Sequence, residues 1–418
     1  MEKAEANVSV AGTTVDDIWL KAAVSGGLWA SVEIILGSFL HNLRVPMAGS
    51  ILASFGIILM IAFHRVWPER GLIWRAGLIC ALMKSVSPSA VILGPMTGIM
   101  MEALLLEAGI ALIGKNIAGY IAAGALALFS ALLHKLFSLL LLYGFNILTI
   151  YLNLFHFASR QLRIPEADPW QLITAVGALY LLFGALAALA GYFVGGRAAV
   201  SVNPATPGRK VRLPDKANKQ PRQEPASIFS PSATRFSLPL FILHLAAIPG
   251  GLLLVNFSHR MVAYPLITAY SIFCLLWYKN IIRRFKKPLF WFQLLVIILL
   301  ASVFLDGFGR ETATINWGGL LNGIDMNVRA ILVVTGFSAL STELRNPFIT
   351  AFLVRKGLQQ LYLSISLAFS ALPAMMEEIS RPGRFLTSPF SSLREMVSKA
   401  PVWLESMEEN SNRPAGAE

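Results

Sequence analysis

Long apolar stretches recur along the whole chain, several near or beyond the roughly 20 residues that a helix needs to cross a bilayer. In hydrocarbon every backbone N–H and C=O must find its partner inside the protein, so a chain built this way folds as helices. The composition agrees, with 56% of the 418 residues hydrophobic and 14% charged, against about 25% charged in soluble domains. Soluble enzymes, nucleic-acid binders and disordered scaffolds fit poorly. The expected fold class is an all-α polytopic membrane protein.

The net charge of +12 would suit nucleic acid if it formed one surface, but it falls in clusters between apolar stretches. Lys279, Arg283, Arg284, Lys286 and Lys287 share one loop, and Arg197, Arg209, Lys210, Arg212, Lys216, Lys219, Arg222 and Arg235 share another polar stretch. Such placement follows the positive-inside pattern of membrane proteins, so a lipid bilayer, and no nucleic acid, is the expected environment. Cys80 and Cys274 lie in separate apolar runs with no pairing or metal-ligand spacing. Glu2, Glu5, Asp16 and Asp17 precede the first apolar run, unlike the basic start of a cleavable signal peptide, so the first helix is expected to be retained.

About six crossings are expected in the first half, near Ile18–Leu43, Pro46–Phe63, Gly71–Met83, Val91–Gly114, Ile117–Phe155 and Trp170–Gly195. The third is short for a full span; the fifth is long enough to be bent, to extend beyond the bilayer or to hide a break. Residues 1–197 form the first membrane domain. From 198 to 236 a Pro-rich basic stretch reads as a linker. An even number of preceding crossings puts the N-terminus and this linker in the cytoplasm. Residues 237–406 form a second helical domain, whose later segments alternate apolar and charged residues as cytoplasmic amphipathic helices do, and 407–418 are expected to be a disordered tail.

The first helix carries Ala22, Gly26, Ala30, Glu33, Gly37, His41 and Arg44 on one stripe about 100° wide. Small residues admit a neighbouring helix closely. Intramembrane Glu and His are costly unless they face a cavity or a partner. Lys84, Ser87 and Glu102 surround a Pro- and Ser-rich break, which is either one wall of a polar pocket or an extramembrane loop. Glu33, His41, Lys84, Ser87 and Glu102 are therefore the substrate-binding candidates, unless the charged ones neutralise one another in a closed core. Glu107, His134 and Lys135 are further buried candidates; the last two equally suit a bend or a helix end.

The stretch from Gly109 to Asn116 matches G-x-x-x-x-G-K, but Asn116 stands where magnesium binding needs Ser or Thr, and an apolar helix precedes it where a strand is required. With no other nucleotide motif, the chain is expected to hold no ATP, cofactor or metal itself. Motifs of intramembrane enzymes are absent too, so it is not expected to be an enzyme.

Gly319, Gly323 and Arg329, then Ser341-Thr342-Glu343 and Pro347, Leu353, Gly357 and Leu361, then Ala371-Leu372-Pro373 with Glu377-Glu378, resemble the transmembrane coupling (T) component of energy-coupling factor (ECF) transporters. The resemblance spans about Leu238 to Ser406. It implies long cytoplasmic coupling helices resting on a pair of ABC-type ATPase subunits. The family's Ala-Arg-Gly docking signature is altered here: its nearest equivalents are Arg381-Pro382-Gly383 and Arg355-Lys356-Gly357, and Pro382 interrupts a helix. Arg355, Arg381, Gly383 and Arg384 are the ATPase-coupling candidates. The first half resembles the substrate-binding S component of the same transporters in architecture, which implies that Ala22, Gly26 and Ala30 meet the coupling module.

Together these readings describe a fused S–T membrane subunit of an ABC importer in the bacterial cytoplasmic membrane. It would bind a small organic micronutrient while separate subunits hydrolyse ATP. The alternatives are a proton-coupled secondary transporter using Glu33, His41, Glu102 and His134 as relay groups, and a membrane scaffold with a T-component-like fold.

Overall fold

The computed structural model describes residues 15–43, 45, 47–84, 93–162, 168–201, 238–278, 285–286, 288–305, 317–343, 359–378 and 388–412. The first half supplies α1 (Asp17–Asn42), α2 (Ala48–Val66), α3 (Leu72–Lys84), α4 (Leu93–Ile113), α5 (Ile117–Tyr143), α6 (Asn146–Gln161) and α7 (Pro169–Ser201). The second supplies α8 (Leu238–Phe257), α9 (Arg260–Trp277), α10 (Pro288–Phe304), α11 (Trp317–Glu343), α12 (Gln359–Glu378), α13 (Pro389–Ser398) and α14 (Ala400–Asn412). All regular structure among the described residues is helical. Eight helices are long and apolar enough to cross a membrane: α1, α2, α4, α5, α7, α8, α9 and α11. The protein is thus a helical, multi-pass membrane protein.

Three features refine the sequence reading. The long fifth stretch divides at Gly144, whose φ of 70° ends α5 before α6 begins. That left-handed backbone suits a residue with no Cβ. The short third stretch is one helix of 13 residues, below the length of a full crossing. Helix extends beyond both expected boundaries: α7 runs to Ser201, inside the stretch assigned to the linker, and α14 runs to Asn412, inside the expected tail, with Met407 fully buried. Residues 202–236 lie outside the described residues.

The G-K sequence at 114–115 is a helix hairpin. Gly114 ends α4 at φ 108°, and the Asn116 side chain caps α5 by accepting from the Gly119 N–H at 2.7 Å. Asparagine at this position fulfils the N-cap role, satisfying one of the donors that the first helical turn leaves open.

Backbone contacts set the bundle's spacing. A Cβ built on Gly191 of α7 would lie 2.7 Å from the Ile58 carbonyl oxygen of α2, and one on Gly195 would lie 2.7 Å from that of Ala62. On the same helix, Gly184 brings α7 against Ala125 of α5, where an added Cβ would be 2.8 Å from Cα. Lipid offers no hydrophobic drive between helices, so these approaches gain van der Waals contact that larger residues would forbid.

In the second half α8, α9 and α10 pack on α11, while α10 and α11 also touch α6 and α5. The last three helices return to the first half: α12 lies on α1 and α3, α13 on α7 and α2, and α14 on α1. Buried residues from Val15 to Ala198 join Leu361 to Met407 in one continuous core.

The α2–α7 contact gives a direct prediction. Gly191→Leu forces backbone apart and should cost about 1–3 kcal/mol, read as a lowered thermal unfolding midpoint in mild detergent. Gly250→Leu, where an added Cβ meets nothing within 4 Å, is the control. Equal midpoints for the two variants would contradict the close contact.

Candidate functional site

Glu33, Lys84 and Glu102 converge inside the first half from α1, α3 and α4. The Lys84 ammonium donates to the Glu33 backbone oxygen at 2.8 Å and pairs with its carboxylate at 3.2 Å. Gly37, one turn along α1, makes room for it, since an added Cβ there would lie 3.3 Å from Lys84 Nζ. Glu33 is only 7% exposed, so this is an ion pair largely removed from water. Such a pair offsets its desolvation only by close geometry and added hydrogen bonds, and the bond to the Glu33 backbone supplies one.

Glu102 adds a second carboxylate to the same interior. It is 5% exposed, and its Oε1 has no hydrogen-bond partner. The indole N–H of Trp29 on α1 is buried and unpartnered as well. Both atoms crowd the open side of Gly56 on α2: an added Cβ there would lie 2.7 Å from Glu102 Oε1 and 2.7 Å from Trp29 Nε1. An acceptor and a donor thus stand beside one small residue without bonding each other. Buried polar atoms in folded proteins are nearly always satisfied, so an orphaned pair marks a place where a ligand, water or proton completes the set. Cys80 of α3 lies within electrostatic reach of Glu33, Lys84 and Glu102. Two acids and one base leave the cluster with an excess of acid, which suits a cationic or hydrogen-bond-donating group.

Other sequence candidates have structural duties. Glu107 of α4 accepts from the backbone N–H groups of Gly71 at 2.6 Å and Ile73 at 3.0 Å, capping the start of α3. Lys135 of α5 donates to Ser50 Oγ of α2 at 2.7 Å, and Ser50 in turn bonds the Tyr180 hydroxyl of α7 at 2.9 Å. His134 faces Gly98 of α4, from which an added Cβ would be 4.0 Å. His41 belongs to the last turn of α1. Ser87, Arg355, Arg381, Gly383 and Arg384 lie outside the described residues.

The small stripe of α1 divides its duties between neighbours. Ala22, Gly26 and Ala30 are buried, and Gly26 fits against α3, where an added Cβ would lie 2.6 Å from the Ala76 carbonyl oxygen. On the adjacent face Gly27 meets the second half, sitting beside Met375 Sδ and Ala368 of α12 at 3.0 and 3.7 Å from an added Cβ.

A second buried network ties α8, α9 and α11. Tyr278 donates to Glu343 Oε1 at 2.5 Å, so its oxygen accepts from His244 Nε2–H at 2.9 Å, leaving His244 Nδ1 to accept from Tyr270 at 2.9 Å. Sequence reading reaches Glu343 through the coupling-component resemblance but passes over His244, Tyr270 and Tyr278. The signal was a lone histidine in an otherwise apolar helix. Farther along α11, Asp325 pairs with Arg260 at 2.8 Å and accepts from Tyr264 at 2.5 Å, while Arg329 bonds Asn256.

The buried ion pair makes a quantitative prediction. Lys84→Met strands the Glu33 charge and should destabilise by about 3–5 kcal/mol, whereas adding Glu33→Gln to it should recover part of that loss. Unfolding midpoints of both single variants and the double variant form the test; strictly additive losses would remove the pairing.

No known protein family, no curated protein and no solved structure matches this chain.

Proposed function

We propose that this chain is the fused membrane subunit of an ECF-type ABC importer, with the α1–α7 bundle as substrate module and the second half as coupling module. The observation that carries this reading is the seam between α1 and α12, where Gly27 admits Met375 and Ala368. The resemblance implies that the first helix of a substrate module rests on a coupling helix, and α12 falls within the resembling stretch. A seam of small residues against a flexible methionine suits parts that slide, because Met adapts to changing shapes more readily than branched side chains.

In this reading the substrate is a small organic micronutrient whose cationic or donor group meets Glu102, beside Trp29 and the Glu33–Lys84 pair. Burial of such a group next to a lone carboxylate gains more than the same contact in water, since the surrounding dielectric is low. ATPase subunits bound from the cytoplasmic side hydrolyse ATP, and the motion reaches α1 through α12. The basic linker is cytoplasmic, as its positive charge favours, in the cytoplasmic membrane of a bacterium. The linker keeps the two modules at high effective concentration, which favours a dedicated pair over exchange among several substrate modules.

A proton-coupled transporter is the second reading, favoured by the same unpartnered oxygen of Glu102. Buried intramembrane carboxylates are common relay groups.

The discriminating experiment is a pull-down of the tagged full chain in mild detergent, followed by uptake in proteoliposomes containing whatever co-purifies. Recovery of ATPase subunits and ATP-dependent uptake support the importer. Uptake without ATP that an uncoupler abolishes supports the proton-driven reading and overturns the first. In either assay Glu102→Gln should lower uptake about tenfold or more while leaving membrane insertion unchanged, and unaltered uptake would remove Glu102 from the site. Gly27→Leu should lower transport without lowering retention of the bound metabolite; loss of both together would tie Gly27 to folding instead.

A further inference from the structure

An open groove of about 810 Å³ lies between α7 and α13, far in sequence from the charged cluster. Its first wall is one face of α7: Ala190, Phe193, Val194 and Arg197 follow the i, i+3, i+4, i+7 spacing of a single helical stripe. Because α7 is apolar enough to cross a membrane over Pro169–Val200, this stripe runs from membrane-embedded residues to a guanidinium at the last turn of the crossing. The second wall comes from α13, which presents Phe390, Ser391, Arg394 and Ser398 across the groove, with Glu395 beside them. Phe193 is 55% and Phe390 57% exposed, so the aromatic floor is open to whatever surrounds the protein.

We propose that this groove binds the headgroup of an anionic glycerophospholipid, with its phosphate at Arg197 and Arg394 and the first part of its acyl chains on Phe193, Val194 and Phe390. The proposal stands apart from the transport reading. Along α7 the groove passes from Ala190, Phe193 and Val194 to Arg197 at the end of the crossing, the order in which a lipid presents acyl chain and headgroup, and α13 adds Arg394 as a second cation. Basic pockets between helices at the membrane boundary take phosphate headgroups by this complementarity. A guanidinium has five donors in a planar fork, so Arg197 and Arg394, which take part in other interactions as well, can also bind phosphate oxygens. Glu395 is paired with Lys399 at 2.9 Å, so Arg197 and Arg394 leave the groove cationic, as an anionic phosphodiester requires. The Ser391 and Ser398 hydroxyls donate to the backbone oxygens of Ser388 and Glu395 at 2.9 and 2.8 Å, which leaves their oxygens to accept from a glycerol headgroup. A lipid seated there would hold α13, and through it α14 and the buried Trp403, against the membrane bundle.

The test uses the full chain reconstituted in phosphatidylcholine vesicles with a minor fraction of phosphatidylglycerol, re-extracted in mild detergent, and analysed for bound lipid by native mass spectrometry. Wild-type protein should retain phosphatidylglycerol in preference to phosphatidylcholine. Arg197→Gln/Arg394→Gln should reduce that retention about tenfold or more, whereas Arg70→Gln/Arg160→Gln, the same charge change at exposed positions outside the groove, should not. Ala190→Trp, which fills the groove without touching its charges, should release the lipid as well, so a failure of the arginine variant to fold would not leave the question open. Equal retention in wild type and both groove variants, or equal loss in the control, overturns the proposal. Displacement by inorganic phosphate as effective as displacement by phosphatidylglycerol would assign the groove to a soluble anion and overturn it too.

Discussion

The first half and the last three helices close around α1, the most enclosed of the helices long enough to cross a membrane. Within its crossing, 72% of the most apolar window is buried, against 17% for α5. The cover is possible because α1 is thin: Gly26 lets the Ala76 backbone of α3 approach, Gly27 admits Met375 of α12, and the apolar neighbours close the remaining gaps. A helix removed from lipid in this way can carry charge. Glu33 would be prohibitively costly on a lipid-facing surface, but beside Lys84 and inside the bundle it is paired at 3.2 Å. The same enclosure buries Glu102 and Trp29, which gives an unpartnered acceptor and donor their chemical interest.

The helices that complete the cover come from the far end of the chain. α12 and α14 reach α1, and α13 reaches α7, so that Leu361 to Met407 belong to the same core as Val15 to Ala198. Any motion of α12 is therefore felt at α1 directly, through packed side chains that interdigitate densely. The intervening helices α8 to α11 gather around α11, held by buried networks through His244 and Glu343 and by the Asp325–Arg260 pair, and meet the first half at α5 and α6. Tight polar networks of this kind fix one arrangement of helices because partial satisfaction is costly. The α8–α11 group is thus tied by polar networks, whereas the α1–α12 seam is apolar and packed on Gly27.

Several of these features were legible in advance because each rests on a local physical rule. The membrane class follows from run length and backbone satisfaction alone, and Glu33, Lys84 and Glu102 stood out because charge inside apolar runs is rare. The break at Gly144 was one of three options for an overlong stretch, whereas the N-cap role of Asn116 emerged only with the α4–α5 hairpin. Other features were hidden because they depend on which helix is the neighbour. Gly26 and Gly27 are adjacent in sequence, yet one fits α3 and the other α12; periodicity identifies a small face without naming its partner. Glu107 read as a buried acid and turned out to cap α3, a role visible only once α3 and α4 are side by side. His244 carried a weak signal that gained meaning from Tyr270 and Tyr278, whose hydroxyls come from a different helix.

The sequence by itself determined that this chain is a bundle of membrane helices, roughly where they begin and end, and which charged residues are too costly to face lipid. Those outcomes follow from the solvation of backbone and side chains, which acts residue by residue. Tertiary structure alone decided that Glu33 meets Lys84, that Glu102 and Trp29 share the space beside Gly56, and that the final helices close over the first. Pairing between helices is settled by shape at contacts of a few ångströms, and no one-dimensional pattern of apolar and polar residues encodes the partner.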